Sequence, residues 1–228
     1  DAAKKRKPIV LETERDREEP LTGFGVTDAE ARTLVSLIAL TGVAYPLASV
    51  TPELPEARVK MLQGSLPTLP IIPMDLFSRG TQSSWDKFKH VQPDYYVNHY
   101  PEIIDLKVRA SAGTYDVVGV TNWHGKDADK RVSFADKLGL DGESKYVVFD
   151  FWNQKLLGTF SDHVDIPIAA HDTRILLIHA LMERPQIIGL SRHISGSYSL
   201  LSQSWDPSRK ILRGVSATVP GVPYSLWF

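Results

Sequence analysis

From residue 102 to residue 228 the chain alternates apolar and polar side chains in eight short runs. They are EIIDLKVRA (102–110), YDVVGVTNW (115–123), KYVVFDFW (145–152), VDIPIAA (164–170), TRILLIHAL (173–181), PQIIGLSRHI (185–194), RKILRGVSA (209–217) and VPYSLWF (222–228). A period of two places successive side chains on opposite faces of an extended strand, whereas a helix returns its apolar residues every three or four positions. Polar turn clusters, GKDADK, LDGES and WDPSRK, separate several of the runs. Short alternating runs broken by such turns predict an antiparallel β-sandwich.

The chain before residue 80 has another rhythm. TDAEARTLVSLIALTG, 27–42, predicts a helix: Thr27 is a cap, Glu30 completes a capping box, and Gly42 is placed to end it. Ala31, Leu34, Val35, Ile38 and Ala39 form its expected apolar face. VAYPLAS, 43–49, reads as a short buried strand despite Pro46, and 52–65 as a second helix with proline in its first turn. Helix, strand and helix in succession are the rhythm of an α/β layer. One strand makes no sheet, so this segment requires strands from elsewhere. The aromatic-rich stretch 80–100 has no period and reads as a connection. Residues 1–20 carry KKRK at 4–7, cancelled by Glu12, Glu14, Asp16, Glu18 and Glu19, and read as a solvated linker or frayed helix rather than a polyanion patch. The expected organisation is a charged tail (1–20), a helix–strand–helix unit (21–80) and a sandwich (81–228). The charged start does not read as a signal peptide, and the chain is expected to be a piece of a longer protein.

Composition removes several classes of function. With 26 basic and 27 acidic residues the net charge is −1, so no global field draws nucleic acid or an anionic membrane, and neither is expected as a partner. There is no cysteine, which excludes disulfides and thiolate chemistry but leaves the compartment open. No apolar run approaches the about 20 residues that span a bilayer. A hydrophobic content of 43% is enough to fill a core.

Candidate chemistry is sparse. The histidines, His90, His99, His124, His163, His171, His179 and His193, form no metal-binding spacing. The densest acid and histidine cluster is His163 and His171 with Asp162, Asp165 and Asp172, which reads either as surface turns or as two turns gathered around a divalent ion. No nucleophile elbow, dinucleotide fingerprint or phosphate loop is present. Glycoside hydrolysis needs two carboxyl groups flanking the bond, and most of the aspartates fall in polar turns. Asp150 instead interrupts an apolar strand in KYVVFDFWNQK, with Tyr146 and Val148 on its face and Val147, Phe149 and Phe151 on the other. A structural role at a strand end is preferred for it, with a sugar contact as the alternative. Trp123, Trp152, Trp205 and Trp227 lie near strand ends, where indoles fill a core or offer a sugar platform. The expectation is no catalytic residue, no cofactor and no metal in this chain.

TDAEARTLVSLIALTG, LPEARVKMLQGSLP, PMDLF, YDVVGVTNWHGKDADKRVSFADKLGLDGESKYVVFDFWNQK and PQIIGLSRHISGS…LLSQSWDPSRKILRG together resemble the C-terminal third of melibiase-type glycoside hydrolases, the α-galactosidase-like enzymes of families 27 and 36. The resemblance implies that residues 27–66 correspond to the last helix–strand–helix of a (β/α)8 barrel, and residues from about 85 to 228 to an antiparallel β-sandwich. It implies a retaining enzyme whose two catalytic aspartates lie at the ends of the fourth and sixth barrel strands, on positions that precede this sequence. Ala48 and Ser49 stand where the group often has an aspartate in the loop before the L-P-E-x-R helix. The resulting expectation is a mainly β, non-catalytic portion of such an enzyme, meeting an α-galactoside or related carbohydrate only through its parent and packing on the parent's barrel. The alternatives are a free-standing carbohydrate-binding module and a protein–protein module.

Overall fold

The structure, a computed structural model, describes residues 26–43, 54–69, 71 and 101–228. The expected charged tail and the connection over 80–100 lie outside these residues, as does the short strand over 43–49 apart from Val43. Helix α1 (Asp28–Thr41) starts as its capping box requires: Thr27 Oγ1 accepts from the Glu30 amide at 3.2 Å, and Glu30 Oε2 accepts from the Thr27 amide at 2.8 Å. Gly42 ends it at φ 69°, a left-handed conformation that glycine adopts without penalty. Helix α2 (Glu56–Ser65) begins later than residue 52, immediately after Pro55. The ring of Pro55 disfavours helical geometry at Leu54, so the first helical position is pushed beyond it.

The remaining elements follow in the order β1 (Ile103–Ala110), β2 (Gly113–Thr121), β3 (Ala128–Ser133), the short helix α3 (Phe134–Leu138), β4 (Tyr146–Asp150), β5 (Lys155–Phe160), β6 (His163–Ile168), β7 (Thr173–Ala180), β8 (Gly189–Leu190), β9 (Leu200–Asp206), β10 (Ile211–Ser216) and β11 (Leu226–Trp227). Five of them form one antiparallel sheet in the order β1-β2-β7-β4-β5. Three two-stranded ladders, β3–β6, β8–β11 and β9–β10, pack around it.

Both faces of the central sheet are covered. Val118, Val120, Val148, Leu176 and Ile178 meet Val132, Val164, Ile166 and Ile168 of the β3–β6 ladder and Phe134 and Leu138 of α3. On the reverse, Tyr115, Val117, Phe149, Ile175 and Leu177 meet Leu40 of α1, Leu190 of β8 and Leu200 of β9. Tyr146 and Val148 thus enter one core and Phe149 and Phe151 the other, as alternation predicts.

The mainly β, antiparallel class is as expected, but individual strands differ. β3 begins inside the presumed turn GKDADK, because Ala128, Asp129 and Lys130 register with Ile168, Pro167 and Ile166 of β6. β5, β9 and α3 were not anticipated. The run 185–194 supplies only the Gly189–Leu190 ladder, although Gln186 through Leu190 are all buried. Burial without a neighbouring strand gives the same sequence pattern as a ladder.

Candidate functional site

The densest meeting of polar and aromatic side chains is the junction between the helix pair and the sandwich. Leu40 of α1 occupies the space left by Gly119 in β2; a Cβ on Gly119 would lie 2.3 Å from Leu40 Cδ1. Near the other end of the helix, Thr33 Oγ1 donates to the His171 carbonyl at 2.8 Å and lies 2.8 Å from Thr173 Oγ1, which in turn meets Thr121 Oγ1 at 2.9 Å. Arg32 Nη1 donates to Asp172 Oδ2 at 2.6 Å, while Asp172 Oδ1 accepts from the Thr173 amide. The buried face of α1 is therefore Ala31, Thr33, Val35, Ser36, Ala39 and Leu40, and Leu34 is left 56% exposed. A stripe of apolar residues alone does not foresee this, because the sheet end under the helix offers hydroxyls and a carboxylate.

Trp152 joins three parts. Its indole Nε1 donates to Ser36 Oγ at 2.8 Å, and its ring packs edge-on to Phe151 and against the small core of Ala31, Val35 and Met61. Helix α2 is tied to α1 by Arg58, whose Nε reaches Asp28 at 2.7 Å and whose Nη2 reaches the Val26 carbonyl at 2.8 Å. It is tied to the sandwich through the Ile194 amide on the Gly64 carbonyl, 2.7 Å, and Arg192 on the Gln63 carbonyl, 2.9 Å. Buried His193 adds a bond from Nε2 to the Pro67 carbonyl at 3.0 Å, while its Nδ1 accepts from the Ser195 amide at 3.1 Å. The proton therefore resides on Nε2. Burial drives the His193 pKa down to about 4, and neighbouring Arg192 acts in the same direction.

The DFWNQK stretch closes on itself. Asp150 is buried, and its oxygens accept from the Asn153 amide (3.2 Å) and Asn153 Nδ2 (2.7 Å) and face Arg174 Nη1 at 3.1 Å. Gln154 Nε2 donates to the Phe151 carbonyl, and Gln154 turns the chain into β5 at φ 50°. The acid and amides that stand together in the sequence are bonded to each other, to the backbone and to Arg174.

The acid and histidine cluster divides. His163 stays with Asp162, 2.9 Å, and Asp165, 3.5 Å, and Asp165 also holds Arg131 through two bonds of 2.8 Å. His171 and Asp172 instead serve the α1 contact. Among the described residues no group of three or more potential ligands is gathered for a metal ion.

A carboxylate pair that the sequence reading passed over lies in β1 and β2. Lys107 Nζ sits 2.9 Å from Asp105 Oδ2, 2.5 Å from Asp116 Oδ2 and 2.6 Å from the Leu138 carbonyl. Burial raises the Asp105 pKa to about 6 against the pull of Lys107, and it raises Asp116 too. A glycosidase pair must bracket a glycosidic bond with open space between the carboxyl groups, and here an ammonium fills that space. The signal was present as D-x-K in one strand and an aspartate in the next, but the Lys107–Asp116 pairing follows from register.

The tryptophans separate as well. Trp123 donates to the Pro101 carbonyl, and Trp227 packs on Phe149 with ring centres 4.8 Å apart. Trp205 lines a surface groove with Tyr224 and Phe228.

Residues 107–178 match the family described as the alpha galactosidase C-terminal beta sandwich domain. The matched span runs from Lys107 in β1 to Ile178 in β7 and includes the β3–β6 ladder and α3. The chain is also similar to solved glycosidases. Against α-galactosidase I from Mortierella vinacea it is 16% identical, covering 69% of this chain and 37% of that one, with a TM-score of 0.45. Against a family-27 β-L-arabinopyranosidase from Geobacillus stearothermophilus it is 12% identical, covering 70% and 32%, with a TM-score of 0.47. Against the isomalto-dextranase of Arthrobacter globiformis T6 it is 18% identical, covering 73% and 25%, with a TM-score of 0.46. The chain thus spans well under half of each of these enzymes. No curated protein sequence matches it. Among the described residues no helix is long and apolar enough to cross a membrane.

Proposed function

We propose that this chain is the non-catalytic C-terminal portion of an α-galactosidase-like retaining glycoside hydrolase, whose sandwich seats and supports a catalytic barrel. The observation that supports this reading is the junction just described: a helix pair is locked to a sandwich of the matched type by Trp152, Arg32 and Leu40. Function in (β/α)8 enzymes resides in loops at the strand ends of the barrel, and the Asp105 and Asp116 carboxylates of the sandwich are closed off by Lys107. Exposed Leu34 on α1 supports a further layer of barrel against that helix. Carbohydrate, an α-galactoside or a related sugar, would reach the chain through the parent's barrel.

The test is turnover. The chain by itself is expected to leave aryl α-galactosides and aryl β-L-arabinopyranosides intact. Hydrolysis that is lost in Asp105→Asn or Asp116→Asn, with the fold unchanged by circular dichroism, would place the chemistry inside the sandwich and remove the proposal.

A further inference from the structure

Helix α2 ends against three consecutive residues of the segment between β8 and β9. An α-helix leaves its last carbonyls without intrahelical donors, and here the donors come from the sandwich. Arg192 Nη1 reaches the Gln63 carbonyl at 2.9 Å, the Ile194 amide reaches the Gly64 carbonyl at 2.7 Å, and His193 Nε2 reaches the Pro67 carbonyl, just past the helix, at 3.0 Å. His193 is the titratable member of the three that changes charge near neutral pH, and it is only 1% exposed. Its neutral ring uses both nitrogens: Nε2–H donates to Pro67, and Nδ1 accepts from the Ser195 amide at 3.1 Å with Ser195 Oγ 2.8 Å away. Arg192 is the charge that acts on the ring, and among the described residues no carboxylate bonds to it. The charged side chains of α2 are engaged elsewhere, Arg58 with Asp28 and Lys60 with Glu56, and Tyr198 sets its ring 5.0 Å from the imidazole.

We propose that His193 is an acid-released clasp: on taking up a proton it lets go of the C-terminal end of α2 while α1 stays fixed on the sandwich. In the closed state Nδ1 must accept. A proton there meets the Ser195 N–H, donor against donor, and turning that proton to Ser195 Oγ leaves the buried amide without an acceptor. The imidazolium would also stand out of water beside the Arg192 guanidinium, with no carboxylate to balance it. The carbonyls of Pro67 and Ser65 favour the charged ring, but burial outweighs them and holds the pKa at about 4. An opened ring returns to its ordinary value near 6.5. The closed state therefore binds fewer protons, so closure is complete at neutral pH and is lost as pH falls from about 6.5 toward 4. The opening is local because α1 has fastenings of its own, none of them a histidine side chain: Arg32 on Asp172, Leu40 in the Gly119 notch and Ser36 on Trp152. Arg58 likewise keeps the first turn of α2 on Asp28 and Val26. Nothing in this device depends on the glycosidase reading.

Amide hydrogen exchange of the full chain, followed by NMR at pH 7 and pH 5 and corrected for intrinsic rates, tests this. The Ile194 amide reads the clasp, and the Leu177 amide of β7, a strand paired on both sides, reads global unfolding. Ile194 should lose about tenfold or more of its protection between the two pH values, through an opening insensitive to low urea. Leu177, and Leu40 of α1, should remain better protected than Ile194 at pH 5. His193→Gln, which keeps a side-chain donor for the Pro67 carbonyl but takes up no proton, should flatten the pH dependence of Ile194. In the wild-type chain the His193 ring nitrogen shifts should titrate in step with the Ile194 opening, a readout that needs no variant to fold. An Ile194 amide that exchanges only through the urea-sensitive opening of Leu177 would overturn the clasp. So would an unchanged pH dependence in His193→Gln, or a His193 ring that takes up its proton while Ile194 stays protected.

Discussion

Val118, Val120, Val148, Leu176 and Ile178 project from one face of the central sheet, and Tyr115, Val117, Phe149, Ile175 and Leu177 from the other. The first face is closed by chain lying between the strands it covers: β3, α3 and β6 fall between β2 and β7 in sequence. The second is closed by distant pieces, α1 from one side and residues 185–228 from the other. Their buried polar groups differ in kind. The first face holds ion pairs, Asp116 with Lys107 and Asp150 with Arg174. The second holds neutral groups away from the Arg32–Asp172 pair at the edge of α1: His179 stacked on Tyr115 at 4.3 Å, Tyr115 Oη bonded to Ser197 Oγ and the Ser195 carbonyl, and His193 between α2 and the sandwich. The lesson is that the Asp105–Lys107–Asp116 group of one face and the histidines of the other respond to acid in opposite directions.

The largest effect should come from the histidines. Burial lowers His179 and His193 to about 4, from an unfolded value near 6.5. Between those values the unfolded chain binds more protons, so stability falls as pH drops through this window. The loss approaches about 3 kcal/mol for each histidine below pH 4. Urea unfolding at pH 7 and pH 4.5 should show it, and His179→Phe, which keeps an aromatic ring against Tyr115, should remove about half of the difference. An equal pH dependence in that variant would show that the second face is not the acid-labile one.

A smaller effect tests the first face without titrating it. Asp150→Ala removes the partner of Arg174 and of the Asn153 turn, and leaving those groups unsatisfied costs about 1–3 kcal/mol. The thermal midpoint should drop accordingly, with or without galactose present. A neutral mutation that abolished galactose-dependent stabilisation would instead make Asp150 a ligand contact.

A third change carries the opposite sign. Asp105 has its pKa raised to about 6 by burial, above its unfolded value, so the folded chain binds more protons and this group gains stability as pH falls toward 4. Asp105→Asn should remove that compensation and make the net acid loss steeper, while Lys107 keeps Asp116 and the Leu138 carbonyl. A shallower acid loss in the variant would reverse the assignment of signs to the two faces.

The contrast between the faces also marks how far the sequence could be read. Thr27, Glu30 and Gly42 define α1 because capping is local chemistry, and the strand pattern of 145–152 and 173–181 is local for the same reason. The buried flank of α1 was not legible: Thr33 and Ser36 turn inward because Thr173 and Trp152, more than a hundred residues away, supply their partners. DFWNQK was correctly suspected of being a strand end, since Asp150 and Asn153 are three residues apart and bond to each other. The Asp105–Lys107–Asp116 group escaped because it is created by register, and the groove at Trp205 because β9, β10 and β11 must pair before it exists. Periodicity states which residues face together within a strand and is silent on which strands become neighbours.

Gly119 gives the helix pair a mechanical property. Leu40 sits in the notch left by its missing side chain, and Arg32 is clamped to Asp172 eight residues earlier, about 12 Å away along the axis. A rod held at two such points cannot slide or pivot, and the Ser36 bond to Trp152, midway between them, stops it from rolling. Orientation is thereby transmitted without a hinge, so any structure rigidly continuous with α1 would take its bearing on the sandwich from three side chains and one empty position.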